Sequence, residues 1–222
     1  MNIYFFGDSI CFGQFVSPTN IWINLLTRKL QEKFNNVIVQ NPSVNGRTTR
    51  QALEDMSFQI QSNPVDVLYI QFGMNDCNHW VTDNGCPRVS ITAFKANLLE
   101  MIDRAIQSGV KTILLGTNHP TPKTTKYKNL SFSYQTKNEE YNEIIRDVAR
   151  EKNTVLVDHE NFWRTHCTDL NHEFSNLILP DGIHLSIQGH VAYFNHILPI
   201  LTQELIKLTQ KIGSNKLLEN IT

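Results

Sequence analysis

The chain has almost no charge imbalance, no long apolar run and few cysteines, and each shortage excludes a class of function. Lysine and arginine number 20 against 21 aspartates and glutamates, a net charge of −1 over 222 residues. That balance offers neither the basic footprint of a nucleic-acid binder nor a polybasic membrane patch. No apolar stretch approaches the roughly 18 residues that cross a bilayer, so no membrane partner is expected. The N-terminus lacks the basic start and small-residue cleavage site of a secretory leader. The expectation is therefore a mature chain that begins at Met1 and stays in the cytoplasm. The four cysteines, Cys11, Cys77, Cys86 and Cys167, show no Cys-x-x-Cys spacing and are too few for a disulfide scaffold. Free thiols are expected, with a Cys77–Cys86 bridge left open. There is no internal repeat, low-complexity tract or Gly/Ser/Pro-rich linker.

What is present is ordinary globular composition, 41% hydrophobic and 18% charged residues, in a length that suits one core. One domain is expected over residues 1–212, with 213–222 as a frayed tail. Short apolar, β-rich runs at 2–6, 37–41, 65–72, 110–116 and 154–158 alternate with stretches of helical period. Trp22, Leu25, Leu26 and Leu30 mark one helical face, and Phe94, Leu98, Met101, Ile102 and Ala105 mark another, stopped by Gly109. Further helices are expected at 48–61, 134–152 and 186–211, the last interrupted by Pro199. Strands that alternate with helices predict an α/β fold: a five-stranded parallel sheet covered on both faces. Two connections, 117–133 and 159–180, exceed the length usual in a compact domain, which marks them as functional or mobile.

In such sheets ligands bind beyond the carboxyl ends of the strands, so the residues that follow each strand matter most. Ser9 follows the first strand in "FFGDSICFG", Gly46 follows the second in "NPSVNGRTT", and Asn75 follows the third in "GMND". Near the end of the chain "LPDGIHLS" supplies Asp181 and His184, three residues apart, close enough for a carboxylate to reach an imidazole Nδ1 within one turn. A serine hydroxyl needs a base, and the base needs a partner that holds its tautomer. Ser9, His184 and Asp181 fill those roles. The backbone N–H groups of Ser9 and Gly46 and the side-chain amide of Asn75 are the donors available to a tetrahedral oxyanion.

In these four motifs, in this order, the chain resembles the SGNH (GDSL) hydrolase superfamily from residue 7 to residue 184, departing only in Ile10 where leucine is common. The resemblance implies a flavodoxin-like three-layer α/β/α fold and a serine esterase or acyltransferase that uses no metal and no cofactor. Asp8 reads as a structural acceptor for backbone N–H groups, and Asp76 as a cap. His190 and His196 read as packing or surface residues. His166 and His172, near Cys167 and Asp169, lack tight metal-ligand spacing. Cys11 reads as a small buried side chain.

The expected substrate is an ester of a short acyl group, acetyl first, on a carbohydrate or similarly polar alcohol. The segments expected to overhang Ser9 are polar with scattered aromatics rather than continuously apolar. Trp80 and Trp163 are candidate platforms for a sugar ring, and Trp80, Tyr127, Phe132 and Trp163 alternatively cover the core. The competing readings are a carbohydrate O-acyltransferase with the same residues and a silent binding module. A nucleotide binder is disfavoured because the loop after the first strand carries no phosphate-cradling glycine series.

Overall fold

The structure, a computed structural model, describes residues 1–128, 130–166 and 173–219. The elements are β1 (Asn2–Gly7), α1 (Ser9–Phe12), α2 (Trp22–Lys33), β2 (Ile38–Gln40), α3 (Thr49–Met56), β3 (Val67–Gln71), α4 (Ile91–Gln107), β4 (Thr112–Gly116), α5 (Tyr134–Lys152), β5 (Val155–Val157), α6 (His159–His166), α7 (Glu173–Leu177) and α8 (Ile187–Glu219). The five strands form one parallel sheet in the order β2-β1-β3-β4-β5. Strand order reverses at β1, whose neighbours are β2 on one side and β3 on the other, so the crevice favoured by ligands opens at the carboxyl ends of β1 and β3.

Successive side chains on a strand point to opposite faces, and that alternation builds two cores. Tyr4, Phe6, Leu68 and Ile70 pack under α3, α4 and α5, whereas Ile3, Phe5, Val67 and Tyr69 pack under α2 and α8. Each buried side chain of this size contributes about 1.5–3 kcal/mol relative to exposure. The three-layer architecture is thus the one expected.

Local signals set the helix ends. Ser90 and Ser133 cap α4 and α5 by accepting the N–H groups of Ala93 and Thr136. Thr48 and Gln51 form a capping box at the start of α3. The 48–61 helix is interrupted, because α3 gives way to a π turn over Ser57–Gln61. The expected long connection over 159–180 is helical through α6 and α7, since Asp158 accepts the Asn161 N–H and starts α6. Helix α8 continues with Pro199 inside it to Glu219, beyond the point where the tail was expected to begin. Cys11, Cys77 and Cys86 are free, the first two buried and the third exposed. Among the described residues no helix is long and apolar enough to cross a membrane.

Candidate active site

Ser9 stands two residues past the end of β1 as the first residue of α1 and is 6% exposed. Asp8 Oδ1 accepts the Ile10 N–H at 3.0 Å, which anchors the turn that presents the serine. At the far end of the chain, Asp181 Oδ1 accepts the backbone N–H groups of Ile183 (2.9 Å) and His184 (3.0 Å), which curls the segment into a tight turn. Its Oδ2 meets His184 Nδ1 at 2.5 Å, and His184 Nε2 lies 2.9 Å from Ser9 Oγ. The three residues singled out from the sequence therefore form one continuous hydrogen-bonded chain across 175 positions. Burial pushes the Asp181 carboxyl upward, but the hydrogen bonds from the His184 side chain and from the two backbone N–H groups hold it below the ordinary carboxylate value. An ionised Asp181 fixes Nδ1 as the proton-bearing nitrogen and leaves Nε2 to accept from serine.

Gly46 adopts a φ of +73°, the left-handed region open to glycine. A Cβ there would meet nothing within 4 Å, so backbone conformation rather than crowding requires the glycine. Asn75 is tied from both ends: its Nδ2 donates to Asp8 Oδ2 at 3.1 Å, and its Oδ1 accepts from Arg88 Nη1 at 3.4 Å. The same Arg88 nitrogen donates to the Gly46 carbonyl at 3.1 Å. One guanidinium thus joins the two loops that carry Gly46 and Asn75. Neither the Asn75–Asp8 bond nor the Arg88 bridge was foreseen from the sequence. Each pairs residues far apart in the chain and carries no local signature.

Asp8 is wholly buried, and burial, with repulsion from Asp76 adding to it, lifts its pKa from 3.8 to about 7 against the bond from Ile10. Asp76 does act as an outside cap, accepting both the N–H (2.9 Å) and the hydroxyl (2.5 Å) of Thr49 at the start of α3. Burial raises it to about 6.

His119, three residues beyond the end of β4, carries no role in the sequence analysis. Its Nε2 bonds the Ile183 carbonyl at 2.8 Å, one residue before His184, and its Nδ1 bonds the Tyr193 hydroxyl at 2.7 Å. Burial drives its pKa down to about 3, so it is a neutral donor that steadies the backbone leading into His184. The rule that strand ends carry function could have found it. His190 is buried and takes the Trp22 N–H at 3.3 Å, consistent with the packing reading.

The two tryptophans part company. Trp163 is 0% exposed, its ring set among His119, Phe174 and Tyr193, and it cannot serve as a sugar platform. It shares the inward face of α6 with His159 and Glu160. Trp80 is 59% exposed, with the Arg88 guanidinium 5.3 Å from its ring centroid. It lines a cleft of about 450 Å³ with Thr48, Arg50, Gln51 and Arg88. Among the described residues no group of three or more His, Cys, Asp or Glu side chains is placed to hold a metal ion. His166 bonds Thr165 and the Phe162 carbonyl, while Cys167, Asp169 and His172 lie outside the described residues.

A five-stranded parallel α/β sheet with a serine, a histidine and an aspartate in one chain at the crevice is the architecture of an ester hydrolase. Residues 5–192 match the family model described as the GDSL-like lipase/acylhydrolase family, and the chain belongs to that family. The isoamyl acetate-hydrolyzing esterase 1 homolog of Rattus norvegicus is 29% identical over 219 residues, 93% of this chain and 83% of that protein. The Bacillus subtilis protein named uncharacterized lipoprotein YqeF is 29% identical over 188 residues, 76% of this chain and 74% of that one. Among solved structures, the acetyl xylan esterase AlAXEase superposes with a TM-score of 0.76 at 19% identity, covering 90% of this chain and 99% of that one, a likeness of fold.

Proposed function

We propose that the protein is a serine esterase that releases a short acyl group, acetyl first, from a hydroxyl of a carbohydrate or comparably polar alcohol. The observation that carries this reading is the unbroken run of hydrogen bonds from Ser9 Oγ through His184 to Asp181. Ser9 attacks the ester carbonyl while His184 Nε2 takes its proton, and Asp181 stabilises the imidazolium that forms. The negative charge that develops on the carbonyl oxygen is met by the N–H groups of Ser9, Gly46 and Asn75 Nδ2. As the tetrahedral intermediate collapses, His184 returns the proton to the leaving alcohol oxygen and the acyl group stays on Ser9. Water, deprotonated by the same imidazole, then releases the acid and restores the serine.

Two considerations support a small acyl group and a polar alcohol. The cleft that adjoins the site through Arg88, which bonds both Gly46 and Asn75, is lined by Arg50, Gln51, Trp80 and Asp83 rather than by a continuous apolar wall. Two of the similar proteins carry names that state an acetate, isoamyl acetate in one case and acetyl xylan in the other, while a third is named an arylesterase. The reading takes residues 1–212 as one catalytic unit.

The test is a series of p-nitrophenyl esters from two to twelve carbons, run with and without added sugar acceptors and with Ser9→Ala as the reference. A folded Ser9→Ala protein is expected to lose on the order of 10⁴ or more in kcat. The ratio kcat/KM should fall steeply from acetyl to octanoyl. Octanoyl or longer esters as the better substrates would overturn the acyl assignment, and comparable turnover by Ser9→Ala would overturn the mechanism. Transfer of acetyl to a sugar faster than to water would replace hydrolysis by acyl transfer with the same residues in the same roles.

A further inference from the structure

Four non-glycine residues among those described adopt a left-handed backbone, and three of them are asparagine, the side chain that tolerates it: Asn36, Asn84 and Asn153. The fourth is Phe15, at φ +69°. A bulky ring in that conformation is strained, and nothing in the packing repays the strain, because Phe15 is 71% exposed. Folding alone would favour glycine or asparagine at this position and a polar side chain at this exposure. The ring contact that Phe15 does make is with His184: the two rings stand 5.2 Å apart and nearly perpendicular, at 87°. A strained, solvent-facing aromatic held against the imidazole that bonds Ser9 is a feature of the site, six residues along the chain from the serine.

From this we infer that Phe15 forms the subsite for the alcohol half of the ester, offering its ring to the face of a cyclic alcohol such as a sugar. The side of the reaction follows from the proton's path. His184 Nε2 takes the proton from Ser9 and hands it to the leaving oxygen, so the alcohol passes beside His184 while the acyl group remains on the serine. A ring that flanks His184 therefore meets the alcohol. The apolar C–H face of a sugar lies flat on an aromatic ring while its hydroxyl groups stay in water, which suits a platform as exposed as this one. Sequence reading sought the platform in Trp80 and Trp163; the geometry points to a residue in the short turn after α1. The inference rests on the proposed serine mechanism.

All acetates pass through the same acetyl-enzyme, so contacts to the alcohol appear in kcat/KM rather than in the shared deacylation rate. The experiment compares ethyl acetate, cyclohexyl acetate and a mono-O-acetylated methyl xyloside on wild type, Phe15→Ala, Phe15→Asn, Phe15→Gly and Phe15→Tyr, with thermal melts of each. For the three variants without a ring, kcat/KM on the two cyclic acetates should fall at least about tenfold relative to ethyl acetate, the size of a lost contact with one ring face. Phe15→Tyr should restore the ratio. Phe15→Asn and Phe15→Gly should melt no lower than wild type, because they suit the left-handed backbone. Unchanged ratios, or a change in the ethyl butyrate to ethyl acetate ratio instead, would overturn the assignment, the latter by placing the ring on the acyl side. Melting points lowered in every variant with unchanged ratios would make Phe15 a packing residue. If wild type hydrolyses cyclohexyl acetate but no acetylated sugar, the carbohydrate reading fails while the Phe15 ratios still decide the subsite.

Discussion

Replacing Asn75 with alanine removes an N–H that the proposed mechanism aims at the oxyanion and, at the same time, a hydrogen-bond donor to Asp8. The two losses have different sizes and different readouts. Loss of one oxyanion donor lowers kcat by about 10²–10³, with a smaller change in KM, because the bond strengthens only as charge develops on the oxygen. The second loss falls on stability. Asp8 is fully buried, and Asn75 Nδ2 at 3.1 Å is the donor to its Oδ2. A buried acceptor left without its donor costs about 1–3 kcal/mol. At about 2–4 °C per kcal/mol for a chain of this size, the melting temperature should fall by roughly 2–12 °C. Asn75→Asp sharpens the test, since it also loses the donor but sets a second carboxyl against Asp8, and it should melt lower than Asn75→Ala. Saturation kinetics with p-nitrophenyl acetate and thermal melts followed by circular dichroism measure both effects. A raised KM at unchanged kcat would make Asn75 a ground-state binder and refute its oxyanion role. An unchanged melting temperature would refute the energetic weight given to the Asp8 contact.

Acid should destabilise the fold. Burial holds His119 at about 3, His190 at about 4 and His159 well below 6.5, so each must stay neutral when folded but gains a proton when unfolded as pH drops through the range from about 6.5 toward 4. The raised carboxyls of Asp8, at about 7, and Asp76, at about 6, act in the opposite sense, binding protons in the folded state that the unfolded chain has already lost. His196, lowered to about 4, works in the same direction as the other three histidines. Four histidines against two carboxyls leave two protons net, so stability should fall by about 2.7 kcal/mol for each unit of acidification in that window. A melting temperature that stays flat or rises on acidification from neutral would contradict this balance. Trp163→Ala should cost about 3–5 kcal/mol of stability, as expected for a fully buried ring. It should leave the ratio of acetylated sugar to simple acetate hydrolysis unchanged in whatever protein remains folded, and a selective loss on the sugar substrate would return Trp163 to the site.

The sequence by itself determined the layers of the fold and the chemical identity of the candidate site. Alternating β-rich and helical periods are local properties, and a parallel sheet with helices on both faces buries them all; β2 to β5 fall within the runs read from the chain, and β1 runs one residue past its run, to Gly7. Ser9, Gly46, Asn75, Asp181 and His184 were legible because strand ends converge in such a sheet and because Asp181 and His184 sit one turn apart. The tertiary structure decided what depends on the direction of a side chain. It turned Trp163 into the core on the inward face of α6, and it left Phe15 strained and exposed beside His184. It brought Arg88 to Gly46 and Asn75, Asp8 to Asn75, and His119 to the carbonyl before His184. Each of these contacts joins residues from different loops, and no periodicity or short motif encodes them. They come into being only when the carboxyl ends of the strands are gathered at one edge of the sheet.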